Sequence, residues 1–207
     1  MAALDHLVLV TPDLAATSDA IGRTVGVHPS VGGSHIGRGS ANQLLALGGD
    51  AYLEVIGRDP GQPDPPHPRP FGLDDVVAAR LMTFAARVDS MPAALAAARL
   101  SGYDPGDATA MQRATADGDL LSWTLTSPPT WAGGVVPFLI DWGATPHPSV
   151  TSAQGATLRF LRVTHPEPAR IRAVFAALDL AVEVEDGPEP GLDAVIDGPS
   201  GSMTLVS

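Results

Sequence analysis

His6 and Glu54 are the residues of this 207-residue chain whose types and surroundings point first to chemistry. His6 sits in the apolar run Leu4-Asp5-His6-Leu7-Val8-Leu9-Val10, and Glu54 in Ala51-Tyr52-Leu53-Glu54-Val55-Ile56. Strand alternation would place His6 on one face with Val8 and Val10, and Glu54 on one face with Tyr52 and Ile56. A buried, ionised carboxylate has to be paired or to bind a metal. An imidazole and a carboxylate from neighbouring strands make a nitrogen/oxygen donor set for a divalent ion such as Zn, Mn, Fe or Ni. The same two groups could instead form a hydrogen-bonded pair inside a sheet, with no ion. Asp141 interrupts Phe138-Leu139-Ile140 in a similar way and must also find a partner. His35, in the Gly-rich stretch from Gly32 to Gly39, could line a pocket or be solvated, and Trp123 could be core or pocket wall. Ser200 in Gly-Pro-Ser-Gly reads as a turn residue rather than a nucleophile, and Gly37-Arg38-Gly39 lacks the third glycine of a dinucleotide fingerprint. His67 and His147 each stand between prolines and read as exposed.

The elements that must position these residues follow from the pattern. The first strand stops at Thr11-Pro12-Asp13, and Asp13 is placed to cap a helix with Leu14, Ile21 and Val25 near helical spacing. A strand over Asn42 to Leu47, a turn at Gly48-Gly49-Asp50 and a strand over Ala51 to Ile56 complete a β-α-β-β-β unit across residues 1–57. Six prolines between 60 and 70 exclude helix and inner strand, so residues 58–80 read as a semi-rigid connector. Residues 81–147 repeat the unit: a strand over Met82 to Val88, a helix entered at Pro92 and ended at Gly102, a hairpin turning at Asp117-Gly118, and an inner strand from Val135 to Trp142. Residues 156–207 open the same way. Thr164 and Glu167 have the spacing of a capping box, Ile171, Val174, Phe175 and Leu178 form a helical stripe, and two short strands follow. Aligning Val10, Val88 and Val163 suggests one βα unit used three times. The fold class is α+β.

Composition removes several chemistries. There is no Cys and no Lys, which excludes thiolate nucleophiles, Cys-ligated zinc, disulfides and Schiff-base catalysis. The formal charge is −11 and all 12 cations are scattered arginines, which argues against nucleic acid and against an anionic membrane surface as partners. The first ten residues lack a basic region and carry Asp5 and His6, unlike a signal peptide, and no apolar run approaches a membrane-spanning length. A cytoplasmic protein is the expectation.

The repeated β-α-β-β-β order resembles the vicinal oxygen chelate superfamily, and specifically its glyoxalase-like branch. The likeness is carried by Asp5-His6, Gly32-Gly33-Ser34-His35, Gly39-Ser40-Ala41-Asn42, Tyr52-Leu53-Glu54, Phe71-Gly72-Leu73, Asp117-Gly118 and Pro137 to Gly143. The resemblance implies a pair of βαβββ modules curling into a cup of mixed sheet with helices outside, and a divalent metal held by His and Glu side chains from both modules. His6 and Glu54 match two ligand positions. In the second module Phe84 falls opposite His6 when Val88 is set on Val10, and Phe binds no metal; Asp141 lies near the Glu54 position. On this resemblance the function is an enzyme of lyase or isomerase type acting on a small oxygenated metabolite, with Glu54 or Asp141 shuttling a proton. His35, Asn42, Arg113 and Trp123 would shape the pocket. A metal-free module that sequesters a small molecule is the alternative, and the missing ligand in the second module favours it. Residues 156–207 would serve assembly, covering an open sheet edge or forming a homodimer contact.

Overall fold

The computed structural model describes residues 2–114, 120–127 and 131–207, the side chains of 113, 114, 120 and 131 excepted. The first unit runs β1 (Ala2–Val10), α1 (Leu14–Val25), β2 (Ser30–His35), β3 (Ser40–Ala46) and β4 (Tyr52–Arg58). The second runs β5 (Arg80–Val88), α2 (Met91–Leu100), β6 (Ala108–Ala114), β7 (Leu120–Thr126) and β8 (Phe138–Asp141). Their strands join in one curled sheet of order β2-β3-β4-β1-β5-β8-β7-β6, a half-barrel with the helices outside. Each unit closes by a parallel pairing of its first strand with its last, β1 with β4 and β5 with β8. The two units meet along antiparallel β1 and β5. The curl brings the edge strands β2 and β6 together across the mouth.

Local chemistry explains the first helix as expected: the Asp13 side chain accepts a hydrogen bond from the Ala16 amide at 2.9 Å, and Gly26 ends α1 in the left-handed conformation. Helix α2 carries a proline in its first turn and ends with Ser101 as its C-cap; Gly102 is the left-handed residue just beyond. The turn expected at Asp117-Gly118 lies outside the described residues, although β6 and β7 pair antiparallel on either side of it.

The third unit opens with the expected strand and helix and departs from expectation after them. It comprises β9 (Thr157–His165), α3 (Pro168–Leu178), β10 (Glu183–Asp186), β11 (Gly191–Gly198) and β12 (Gly201–Val206), in a separate sheet of order β10-β9-β11-β12. Strand β10, Glu-Val-Glu-Asp, is an edge strand whose charged side chains hid it from a search for apolar alternation. Because β9 pairs directly with both β10 and β11, this unit is not a third copy of the first two. The capping box is also absent. Glu167 precedes Pro168 and is driven out of helical geometry, so it becomes the N-cap with no side-chain bond, while His165 Nδ1 accepts from the Glu167 amide at 2.9 Å. The unit covers the convex face of the half-barrel rather than an open edge. Leu161, Val163, Ile171 and Phe175 share one apolar core with Leu7, Leu9 and Phe84. A second, smaller apolar cluster lines the concave side, with Val8, Val10, Tyr52, Ala85, Phe138 and Ile140. No helix among the described residues is long and apolar enough to cross a membrane.

Candidate active site in the concave face

The site begins with an irregularity in β1. Leu4 pairs with Ala86 and His6 with Ala85, so Asp5 is an extra residue in the ladder, a β-bulge. The bulge lets consecutive side chains work together: Asp5 Oδ1 lies 2.5 Å from His6 Nδ1. Asp5 Oδ2 accepts from Trp142 Nε1 at 3.0 Å and meets His147 Nε2 at 2.8 Å. Burial by itself would raise the Asp5 carboxyl, but hydrogen bonds from His147 and His6 hold it well below the usual carboxylate range. Asp5 is wholly buried, and its three donors fix it as an acceptor. His6 therefore keeps its Nδ1 proton toward Asp5, which leaves Nε2 facing the cavity.

Parallel pairing sets His6 beside Tyr52, and the rings stack with centroids 4.7 Å apart. Two residues along β4, Glu54 points into the same hollow, its Oε2 3.6 Å from His6 Nε2. That separation exceeds hydrogen-bond reach and leaves room for one oxygen atom to bridge the two groups. Asn42 on β3 donates from Nδ2 to Glu54 Oε1 at 2.6 Å and lies 3.3 Å from His35 Nε2. His35 is in turn tied through Nδ1 to Ser40 Oγ at 3.0 Å, and its Nε2 lies 3.7 Å from Glu54 Oε1. Gly32 makes room for this network, because a Cβ there would come within 2.1 Å of Asn42 Oδ1. His6, Glu54, His35, Asn42 and Trp123, all expected at a site, are thus brought to one cavity of about 190 Å³.

The second unit contributes a different wall: Met111, Trp123, Leu125, Phe138, Ile140 and Trp142. Its register corrects the alignment drawn from the sequence. The pair His6 and Tyr52 corresponds to Ala85 and Phe138, and Val8 and Glu54 correspond to Arg87 and Ile140. Ala85, not Phe84, stands where the first unit has His6; Phe84 faces the convex core, edge-on to Phe175 at 6.1 Å. Ile140, not Asp141, stands where the first unit has Glu54. One residue further on, Asp141 turns away from the cavity and accepts from the Gly143 amide at 2.9 Å. Arg113 lies on β6 opposite Leu121, and its side chain is outside the described residues.

Three participants escaped the sequence reading. Asp5 was visible only as half of a polar pair, and consecutive polar residues opening an apolar strand are the available signal for a bulge. His147, expected to be exposed, is 12% exposed and bonded to Asp5, since the segment after β8 folds back over β1. Phe71, in the proline-rich connector, adopts φ +56° and reaches Phe138 with ring centroids 6.0 Å apart, so the connector forms part of the cavity wall. His67 is exposed as expected.

The donor set decides what an ion would find here. His6 backed by Asp5 has the outer support usual for a metal-bound imidazole, and Glu54 stands opposite. The second wall adds Ala85 and Ile140, neither of which can coordinate. His35 Nε2 is engaged by Asn42, and no group of three or more His, Asp or Glu among the described residues converges on an ion position. These residues do not fit a divalent ion held by both halves of the cup.

A half-barrel of two βαβββ units with its polar residues on the concave side is the architecture of the vicinal oxygen chelate superfamily. The chain belongs to the glyoxalase-like domain family, whose pattern matches residues 4–178. No curated protein matches the chain. Among solved structures, a hypothetical protein from Staphylococcus aureus superposes on all of this chain and 85% of its own, with TM-score 0.61 at 12% identity. A mutant 4-hydroxymandelate synthase from Streptomyces coelicolor covers 98% of this chain with 62% of its own length, TM-score 0.52 at 15% identity. The methylmalonyl-CoA epimerase of Mycobacterium tuberculosis covers 68% of this chain and 87% of its own, TM-score 0.45 at 19% identity.

Proposed function

We propose that the cup binds a small oxygenated metabolite and moves a proton on it, a lyase or isomerase reaction of glyoxalase type. The observation that carries this is the facing of His6 Nε2 and Glu54 Oε2 at 3.6 Å in a cavity, with Asp5 behind the imidazole. Glu54 takes the proton from a hydroxyl-bearing carbon beside a carbonyl, and the bonding pair moves onto the carbonyl oxygen as an enediolate. Glu54 then returns that proton to the former carbonyl carbon, while His6 takes the proton of the original hydroxyl and delivers one to the other oxygen, so that carbonyl and hydroxyl exchange places and the atoms balance. Asp5 stabilises the imidazolium when it forms. Asn42 orients the Glu54 carboxylate, and the apolar wall keeps water from competing for the enolate. No step in this scheme is assigned to a metal.

The test is proton exchange in heavy water. A panel of small α-hydroxy and α-keto compounds is incubated with the protein, and NMR follows replacement of the carbon-bound proton by deuterium. Exchange with at least one compound, abolished by Glu54→Gln, is the expected result. Binding without any exchange would defeat catalysis and favour a module that sequesters its ligand, the reading to which Ala85 and Ile140 lend support.

A further inference from the structure

We propose that the ligand of the cup is an anion with a flat, aromatic or conjugated body, and that Arg38 receives its carboxylate at the mouth; this rests on the reading of the cup as a small-molecule site. Arg38 is the one arginine among the described residues lining the cavity. It is exposed, at the tip of the β2–β3 hairpin, and reaches across the mouth to Met111 on the other edge strand, Nη2 to Sδ 3.7 Å. A thioether satisfies a guanidinium poorly. Many of the other arginines are held by the chain's own acids: Arg58, Arg69, Arg87, Arg99, Arg159, Arg162 and Arg170 all lie within salt-bridge distance of Asp or Glu. Among the described residues Arg38 has no such carboxylate. In a chain of formal charge −11, an anion is repelled at long range and enters only where a local cation outweighs that field.

The turn that carries Arg38 is held in place before any ligand arrives. Gly37 and Gly39 flank it at φ +73° and +62°. The Gly39 carbonyl accepts from Arg69 Nε at 2.9 Å, and Arg69 is itself anchored by Asp64 and Asp74 in the connector. A Cβ on Gly39 would meet Pro65 at 2.7 Å, so hairpin and connector are in close contact. The cavity that holds Arg38 and the His6–Glu54 pair is also lined by five aromatic side chains: Tyr52, Phe71, Trp123, Phe138 and Trp142. Such walls favour a planar body, with a carboxylate at the guanidinium end and an oxygen-bearing carbon at the carboxylate end.

Isothermal titration calorimetry with 4-formylbenzoate and its uncharged amide, 4-formylbenzamide, separates charge from shape. The parent protein should bind the acid about tenfold tighter than the amide, the loss carried by one partly solvated charge-assisted contact. Arg38→Gln should erase that preference and leave the amide unaffected, and Arg38→Lys should restore part of it. Raising salt from about 0.05 to 0.5 M should weaken the acid and not the amide. Glu54→Gln should keep the preference, so a failure of deuterium exchange counts against proton transfer alone. Equal binding of acid and amide by the parent, binding of neither, or an unchanged preference in Arg38→Gln would overturn the proposal.

Discussion

The two walls of the cup share a topology and differ in what they offer a ligand. β1 and β4 present His6 and Glu54, whereas their counterparts on β5 and β8 present Ala85 and Ile140. Around the first pair lies a polar network reaching from Ser40 through His35 and Asn42 to Glu54, and from His6 through Asp5 to His147 and Trp142. Around the second lie aromatic and aliphatic groups. Identical strand pairing therefore does not carry identical side chains: under the proposed function one unit supplies the reactive wall and the other the shaping wall. Both first strands carry an irregularity where they pair, but the extra residue is Asp5, next to His6, on β1 and Met82, three residues from Ala85, on β5.

The largest effect should come from removing the base on the reactive wall. Glu54→Gln keeps shape and should lower proton exchange by about 10²–10⁴-fold, measured by NMR, with little change in melting temperature. Asp5→Ala comes next: it leaves His6, His147 and Trp142 without their buried acceptor and should cost about 3–5 kcal/mol in denaturant unfolding. Asp5→Asn tests the charge alone. The Asp5 carboxyl titrates below its unfolded value of about 3.9, so its contribution is fully present above that pH and is lost as pH falls toward the folded value. The parent should therefore lose stability below about pH 4 more steeply than Asp5→Asn, as followed by thermal melts across pH. Gly32→Ala pushes Asn42 off Glu54, with a tighter 3.0 Å approach to Leu44 Cγ, and should reduce exchange by roughly tenfold while the protein still melts cooperatively. The smallest effect belongs to the shaping wall. Phe71→Ala removes one aromatic contact and should weaken ligand binding by a few-fold, with Glu54-dependent exchange still present.

Much of the fold was legible because hydrophobic period and punctuation report it directly. Asp13, Gly26 and Pro92 mark helix ends by local chemistry that tertiary context did not override. The pairing of His6 with Glu54 was legible because polar residues in apolar strands are costly unless they meet. Register was not. Whether Phe84 or Ala85, and Asp141 or Ile140, enters the cup depends on a one-residue step that only the pairing of β5 with β1 and β8 fixes. The bulge at Asp5, the return of His147 and the inward reach of Phe71 are likewise long-range outcomes, with no local periodicity to announce them.

The most direct measurement needs no substrate. Long-range proton–nitrogen NMR of the histidine rings reports which nitrogen of His6 carries the proton and what lies beside the other. His6 should be the Nδ1–H tautomer, held by Asp5, with a bare Nε2 whose nitrogen shift moves when Glu54 is replaced by Gln. A proton on Nε2, or an Nε2 signal indifferent to Glu54→Gln, would contradict the facing pair on which the reactive wall depends.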